Sequence, residues 1–299
     1  MSVNFCSPPG LSNANSWRST SSGRSTEHKT SEHTIASNGS PASKASTVLA
    51  TTVIGTDAAA AAATAASRSR DSGSAATTYA ILNVAGAGDH IVASPSLYGG
   101  SSNLFKHTLS RLGIETTFVT DPQDPQAWRD AVRPNTKLFF AESTANPLAD
   151  ILDVPAVAAV AHEAKVPFIV DNTVPTAALI RPLELGADIV VASLTKFYTG
   201  NSTGIGGIAI DGGTFDWTVT RDGQPIFPSF ANPDPTYHGI VYADLGEMAF
   251  GVKLRVGVLR DIGGCLSPFN AWVTLAGPRH LGAADTASLL ECPQGGAVP

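Results

Sequence analysis

The chain has little of several things. Among its 299 residues are three cysteines, Cys6, Cys265 and Cys292, and their scatter excludes a disulfide framework or a cysteine zinc site. Charged side chains make up 15%, well below the usual quarter or so. The 19 basic residues are outnumbered by 25 acidic ones, a net charge of -6. That balance argues against a nucleic-acid binder that works by neutralising phosphates. No apolar run reaches the roughly 20 residues needed to cross a bilayer. No repeat recurs at solenoid periods. A cytoplasmic protein of one large or two ordinary domains is the expectation that remains.

What is present is unevenly distributed. The first 50 residues hold 18 Ser or Thr and only two aromatics, Phe5 and Trp17, and an alanine run follows at 58–63. Such a composition buries too little apolar surface to offset its ordering entropy, so residues 1–70 are expected to be disordered, with a transient helix at 57–66. A Ser-rich, Arg-bearing, acid-poor N-terminus also has transit-peptide composition, although no amphipathic basic helix is visible. From Gly73 short apolar runs at 91–93, 114–119, 137–141, 168–170 and 189–192 read as buried strands. Between two of them, Asp153 is placed to cap a helix with Pro155 in its first turn and Val157, Val160, Ala161 and Ala164 on one face. Alternating strands and helices predict an α/β fold with a mostly parallel sheet, whose ligands gather at the carboxyl ends of the strands. Residues 275–299 carry Gly-Pro, Cys-Pro and Gly-Gly punctuation and read as a tail.

The densest chemistry lies at 170–207. Asp171 ends one strand run, and Lys196 follows another 25 positions later, flanked by Ser193 and Thr195 and trailed by a Gly-rich stretch. A Schiff-base enzyme that uses pyridoxal phosphate needs these parts: a lysine for the imine, an acid facing the ring nitrogen and hydroxyls for the phosphate. Ser72-Gly73-Ser74 opens a helix whose free N–H groups and dipole favour an anion. Gly86-x-Gly88 precedes a strand instead of following one and lacks the third glycine, which rules out a dinucleotide fingerprint. The seven histidines have no ligand spacing and read mostly as loop or polar-face residues, so no metal is expected.

Residues 72–272 resemble the large domain of the Cys/Met-metabolism family of pyridoxal-phosphate enzymes. The likeness rests on Ala187-Asp188-Ile189-Val190 followed by Ser193-x-Thr195-Lys196. Ser94-Pro95-Ser96-Leu97-Tyr98-Gly99-Gly100, Phe227-Pro228-x-Phe230, Pro233-Asp234-Pro235-x-Tyr237-His238-Gly239 and Ser267-Pro268-Phe269-Asn270 resemble its O-acetylhomoserine sulfhydrylase branch. The resemblance implies a fold-type I large domain over 71–272, with pyridoxal 5'-phosphate as cofactor. It implies that Lys196 links to the cofactor and shuttles protons, and that Asp171 keeps the ring nitrogen protonated. It further implies that Tyr98 stacks on the ring and assists proton transfer, and that Asn146 bonds the phenolic oxygen. Gly73 and Ser74 N–H groups with the Ser193 and Thr195 hydroxyls would hold the phosphate. The implied reaction joins O-acetyl-homoserine and sulfide into homocysteine, a step of methionine biosynthesis, in a homo-oligomer without nucleic-acid or membrane partners.

Two family features have no match. No tyrosine precedes Tyr79, so the N-terminal Tyr-x-Arg pair that clamps the phosphate is missing, with Arg68 and Arg70 as weak substitutes. After about Trp272 the small C-terminal domain has no counterpart, and 273–299 diverges. These departures leave two alternatives open: a non-catalytic remnant that at most binds cofactor or a related subunit, and a cystathionine synthase or γ-lyase activity.

Overall fold

A computed structural model describes residues 69–70, 72–200 and 202–276. The expectations for 1–68, including the 57–66 helix and the role of Arg68, and those for 277–299 lie outside the described residues.

Seven strands form one sheet: β1 (Ser69–Arg70), β2 (His90–Ala93), β3 (Glu115–Phe118), β4 (Thr136–Glu142), β5 (Phe168–Asp171), β6 (Ile189–Ser193) and β7 (Gly207–Asp211). Their order is β1-β7-β6-β5-β4-β2-β3. The pairs β3/β2, β2/β4, β4/β5 and β5/β6 are parallel, while β7 runs antiparallel to both β6 and β1. All five strand runs read from the sequence are present, and the sheet is mostly parallel. Every residue of β2 and six of seven in β4 are buried, so both faces of the sheet are covered and the runs are continuously apolar rather than alternating.

Several helices position the rest of the described residues. The first, α1 (Gly73–Val84), buries Ala76, Ala80, Ile81 and Val84, a 3.6-residue stripe, against β6 and β7. Next come α2 (Pro125–Asp130) and α3 (Val154–Glu163), which pack on each other. Each opens on an aspartate cap with proline in the first turn: Asp124 accepts from the Gln126 N–H and Asp153 from the Ala156 N–H. The last is α4 (Pro268–Ala276). Trp128 of α2 is fully buried beside Phe139 and Phe168 and donates its indole N–H to the Pro122 carbonyl. A second aromatic cluster stacks Trp217 on Phe230, with ring centroids 3.9 Å apart, beside Phe227 and Phe250.

Four expectations need correction. Ser69 and Arg70, assigned to the disordered segment, pair with Ile208 and Gly207, because β7 offers them an open ladder edge. The 114–119 run is shorter and forms an edge strand, only partly buried. The division at 272/273 falls inside α4, whose Val273 packs inward while Phe269 and Trp272 stay exposed. His90 is no loop or polar-face residue. It is fully buried in β2, with Nδ1 2.8 Å from Thr136 Oγ1 and Nε2 2.8 Å from Thr117 Oγ1.

Candidate active site

The chain leaves β2, crosses to the edge at β3 and returns to β4 on the other side of β2. Beyond the carboxyl ends of β2 and β4 the connections therefore diverge. This switch point is where a doubly wound sheet opens a crevice for ligands. The candidate residues lie at these ends: Tyr98 after β2, Asn146 after β4, Asp171 closing β5, and Ser193, Thr195 and Lys196 at and after β6.

Asp171 is the anchor. Burial pushes its carboxyl above the usual range, and the Thr173 hydroxyl and N–H pull it part of the way back. Both Thr173 groups donate to Oδ1, at 2.5 and 2.9 Å, and Oδ2 takes neither bond. The Thr173 hydroxyl in turn accepts the Ser193 N–H at 2.8 Å, so one threonine ties the end of β5 to the end of β6. Next door, Asn172 is buried, accepting the Ser143 hydroxyl at 2.7 Å and donating to the Ile180 carbonyl.

Across from Ser193 stands the start of α1. Ser72 Oγ accepts the Ala75 N–H, leaving the N–H groups of Gly73 and Ser74 at the positive end of the helix. A Cβ at Gly73 would sit 2.5 Å from Ser193 Cβ, and one at Gly207 would sit 2.1 Å from the Ser72 carbonyl oxygen. Only glycine permits this approach, which brings free backbone donors beside the Ser193 side chain. Thr195 is committed elsewhere: its hydroxyl accepts the Gly206 N–H at 3.1 Å and donates to the Gly206 carbonyl at 3.3 Å. Lys196 is exposed, in a non-helical step (φ -93°, ψ -122°) within the turn Leu194–Tyr198.

On the far side, Tyr98 is 51% exposed and Asn146, which precedes a cis Pro147, is also exposed. Their backbones meet at a residue that sequence reading passed over, Glu142. It closes β4, pairs in register with Asp171, and accepts the Tyr98 N–H on Oε1 and the Asn146 N–H on Oε2. Burial raises its carboxyl to about 7; the Asp171 charge adds to the rise, and both N–H bonds oppose it. A single acid at a strand end has no motif to announce it. Its only trace was the pairing of an acid with an Asn-Pro turn four residues on. Bonds and strand register thus join Tyr98, Asn146, Asp171 and Ser193 into one network, with Gly73 close against Ser193 and with Ser74, Thr195 and Lys196 adjoining in the chain.

An uncompensated buried acid, a pair of helix-start N–H groups and a hydroxyl beside them suit a ligand that is cationic at one end and a dianion at the other. Pyridoxal phosphate, with a protonatable ring nitrogen and a phosphate, has that chemistry, so the residues present fit it. The chain belongs to the Cys/Met metabolism PLP-dependent enzyme family, whose model matches residues 12–283. Pyridoxal phosphate is the cofactor of that family, and the architecture is its fold-type I sheet.

Among curated relatives, the O-acetyl-L-homoserine sulfhydrylase of Corynebacterium glutamicum is 66% identical over 206 residues, 69% of this chain and 47% of the relative. The sulfhydrylase of Leptospira meyeri is 47% identical over 70% of this chain and 48% of its own length. The homocysteine synthase of Schizosaccharomyces pombe is 44% identical over 69% and 48%. A solved O-acetylhomoserine (thiol)-lyase from Campylobacter jejuni, described as putative and carrying a pyridoxyl-lysine phosphate, superposes with a TM-score of 0.67. It is 33% identical, covering 74% of this chain and 55% of that one. The chain spans about half the length of the curated relatives it matches.

Proposed function

We propose that this chain forms the cofactor-binding part of a pyridoxal-phosphate enzyme that makes homocysteine from O-acetyl-homoserine and sulfide, releasing acetate. The observation that carries the reading is the junction of buried Asp171, through Thr173, with Ser193 and the glycine start of α1. The substrate class comes from the sulfhydrylase relatives, 66% identical in one case.

When bound, the cofactor supplies an electrophilic carbon for amines and an electron sink for negative charge at the substrate Cα. The chain supplies the rest. Asp171 holds a proton on the ring nitrogen, and the N–H groups of Gly73 and Ser74 with the Ser193 hydroxyl bind the phosphate. Thr195 contributes through its hold on Gly206, to which its hydroxyl is committed. Lys196 anchors the cofactor and moves protons at the substrate carbons, a task that requires its amine to be neutral. Tyr98 covers the ring face, and the Asn146 amide bonds the phenolic oxygen. The chain acts as a homo-oligomer, for which exposed Leu148, Ile151, Phe197 and Ile205 supply apolar surface.

Purified chain mixed with pyridoxal phosphate should develop the shifted absorption band of lysine-bound cofactor, and Lys196→Ala should lack it. Sulfide-dependent acetate release from O-acetyl-homoserine should accompany the band. Identical spectra for wild type and variant would overturn the assignment of Lys196. A band without acetate release would replace catalysis by cofactor binding alone.

A further inference from the structure

Glu142 is placed to do more than fill a strand end. We propose that it is a positioning residue: a single carboxylate that buckles the Tyr98 loop to the Asn146 turn across the crevice floor, so that both side chains face the cofactor in register. The assignment of a ligand to this crevice rests on the reading above; the buckle itself rests on geometry.

The residue is 7% exposed, and its two oxygens are divided between two loops. Oε1 takes the Tyr98 N–H at 2.6 Å, from the connection that leaves β2. Oε2 takes the Asn146 N–H at 3.1 Å, from the connection that leaves β4. Past Ser94, whose N–H still bonds the Phe140 carbonyl at 2.9 Å, these connections diverge at the switch point, and no ladder bond sets the spacing of Tyr98 and Asn146. A planar group with two acceptor oxygens does. Glutamine has the same shape but one acceptor, and its NH2 would meet an N–H head on. Aspartate is one methylene shorter and cannot keep both bonds. A leucine of similar volume would suit burial better but would leave two N–H groups without an acceptor.

The buckle has a titratable weakness. Protonation turns one oxygen into a donor that faces another donor, and one loop is released. The groups that act on Glu142 are Asp171 on β5 and the two N–H donors, and Tyr198 faces Asp171 in turn. A cation bound against Asp171 would favour ionised Glu142 and so close the buckle. Cofactor binding and loop positioning are thereby coupled through two neighbouring acids.

The test begins without cofactor. Amide hydrogen exchange at Tyr98 and Asn146, corrected for intrinsic rates, is followed at pH 6 and pH 8, either side of about 7. Wild type should show several-fold greater protection at pH 8, since the ionised fraction rises about tenfold across that interval. Glu142→Gln should lose about tenfold protection at one of the two amides and show no pH response. Asp153→Ala, a remote helix-cap variant, should leave both amides unchanged and controls for general loosening. Absorbance titration should then show pyridoxal phosphate binding about tenfold more weakly to Glu142→Gln, with its pH dependence flattened. If Glu142→Gln does not fold, the wild-type response at the two amides decides alone. Protection that is indifferent to pH in wild type, or equal in wild type and Glu142→Gln, overturns the buckle. An amide response without any cofactor band upholds the buckle and removes the cofactor reading instead.

Discussion

At the scale of single residues, the site is governed by how closely backbones approach. Gly73 shows it. Alanine is the better helix former by up to about 1 kcal/mol, which alone would make Gly73→Ala stabilising. Opposing this, the added Cβ would lie 2.5 Å from Ser193 Cβ and 2.9 Å from Ser193 Cα, neither of which is the free end of a flexible side chain. Overpacking of that kind costs about 1–3 kcal/mol, so the clash wins. Gly73→Ala should lower the urea midpoint and weaken pyridoxal phosphate binding by at least about tenfold. A variant with wild-type affinity would show that the gap between α1 and Ser193 does not set the phosphate position. The spacing of Asp171 and Lys196 was legible because their chemistry has few substitutes. Glu142 was not, because its role exists only once two loops distant in sequence lie on either side of it. Thr173 is hidden in the same way: its bridge from Asp171 to Ser193 exists only with β5 and β6 side by side.

Secondary-structure elements were legible where local signals agree with burial. The helix at 154–163 is the clearest, with aspartate, proline and an apolar stripe all pointing to one start. Its cap is a single bond, Asp153 Oδ1 from the Ala156 N–H at 3.1 Å, exposed to water. Asp153→Ala should therefore cost only about 1 kcal/mol, read as a lower thermal midpoint with cofactor binding intact. No measurable loss would mean that Pro155 and packing alone define the start. β7 went unread for the opposite reason. Its residues, Gly207–Asp211, follow a glycine-rich stretch that signals a loop, and Gly207 is held in the strand by pairing with Ser193 and Arg70, where the Ser72 carbonyl leaves no room for a side chain. Tertiary contact overrode local propensity there.

At the scale of the whole molecule, the question is what joins the edge strand β3 to the rest of the sheet, and His90 supplies much of the answer. Its ring lies between a threonine of β3 and a threonine of β4, with Thr117 on one nitrogen and Thr136 on the other. Both hydroxyl oxygens also accept from Arg133, Thr136 from its backbone N–H and Thr117 from its guanidinium. Burial first, and the Arg133 charge second, hold the imidazole down to about 4, with Glu115 opposing them weakly. The folded chain thus keeps His90 neutral, whereas the unfolded chain protonates it near 6.5. A base with a depressed folded pKa loses stability as pH falls from its unfolded value towards its folded one. The loss is confined to the interval from about 6.5 down to about 4, and levels off below it. From the size of the shift it reaches at most about 3 kcal/mol. His90→Gln keeps a polar group between the two threonines but cannot titrate. Urea unfolding at pH 7 and at pH 4.5 should show wild type losing about 2–3 kcal/mol more than the variant, with amides of β3 exchanging first. Carboxylates titrate in both proteins, so the difference between the two slopes belongs to this histidine. Parallel acid slopes would mean that the edge strand is held by its ladder and not by the ring at its centre.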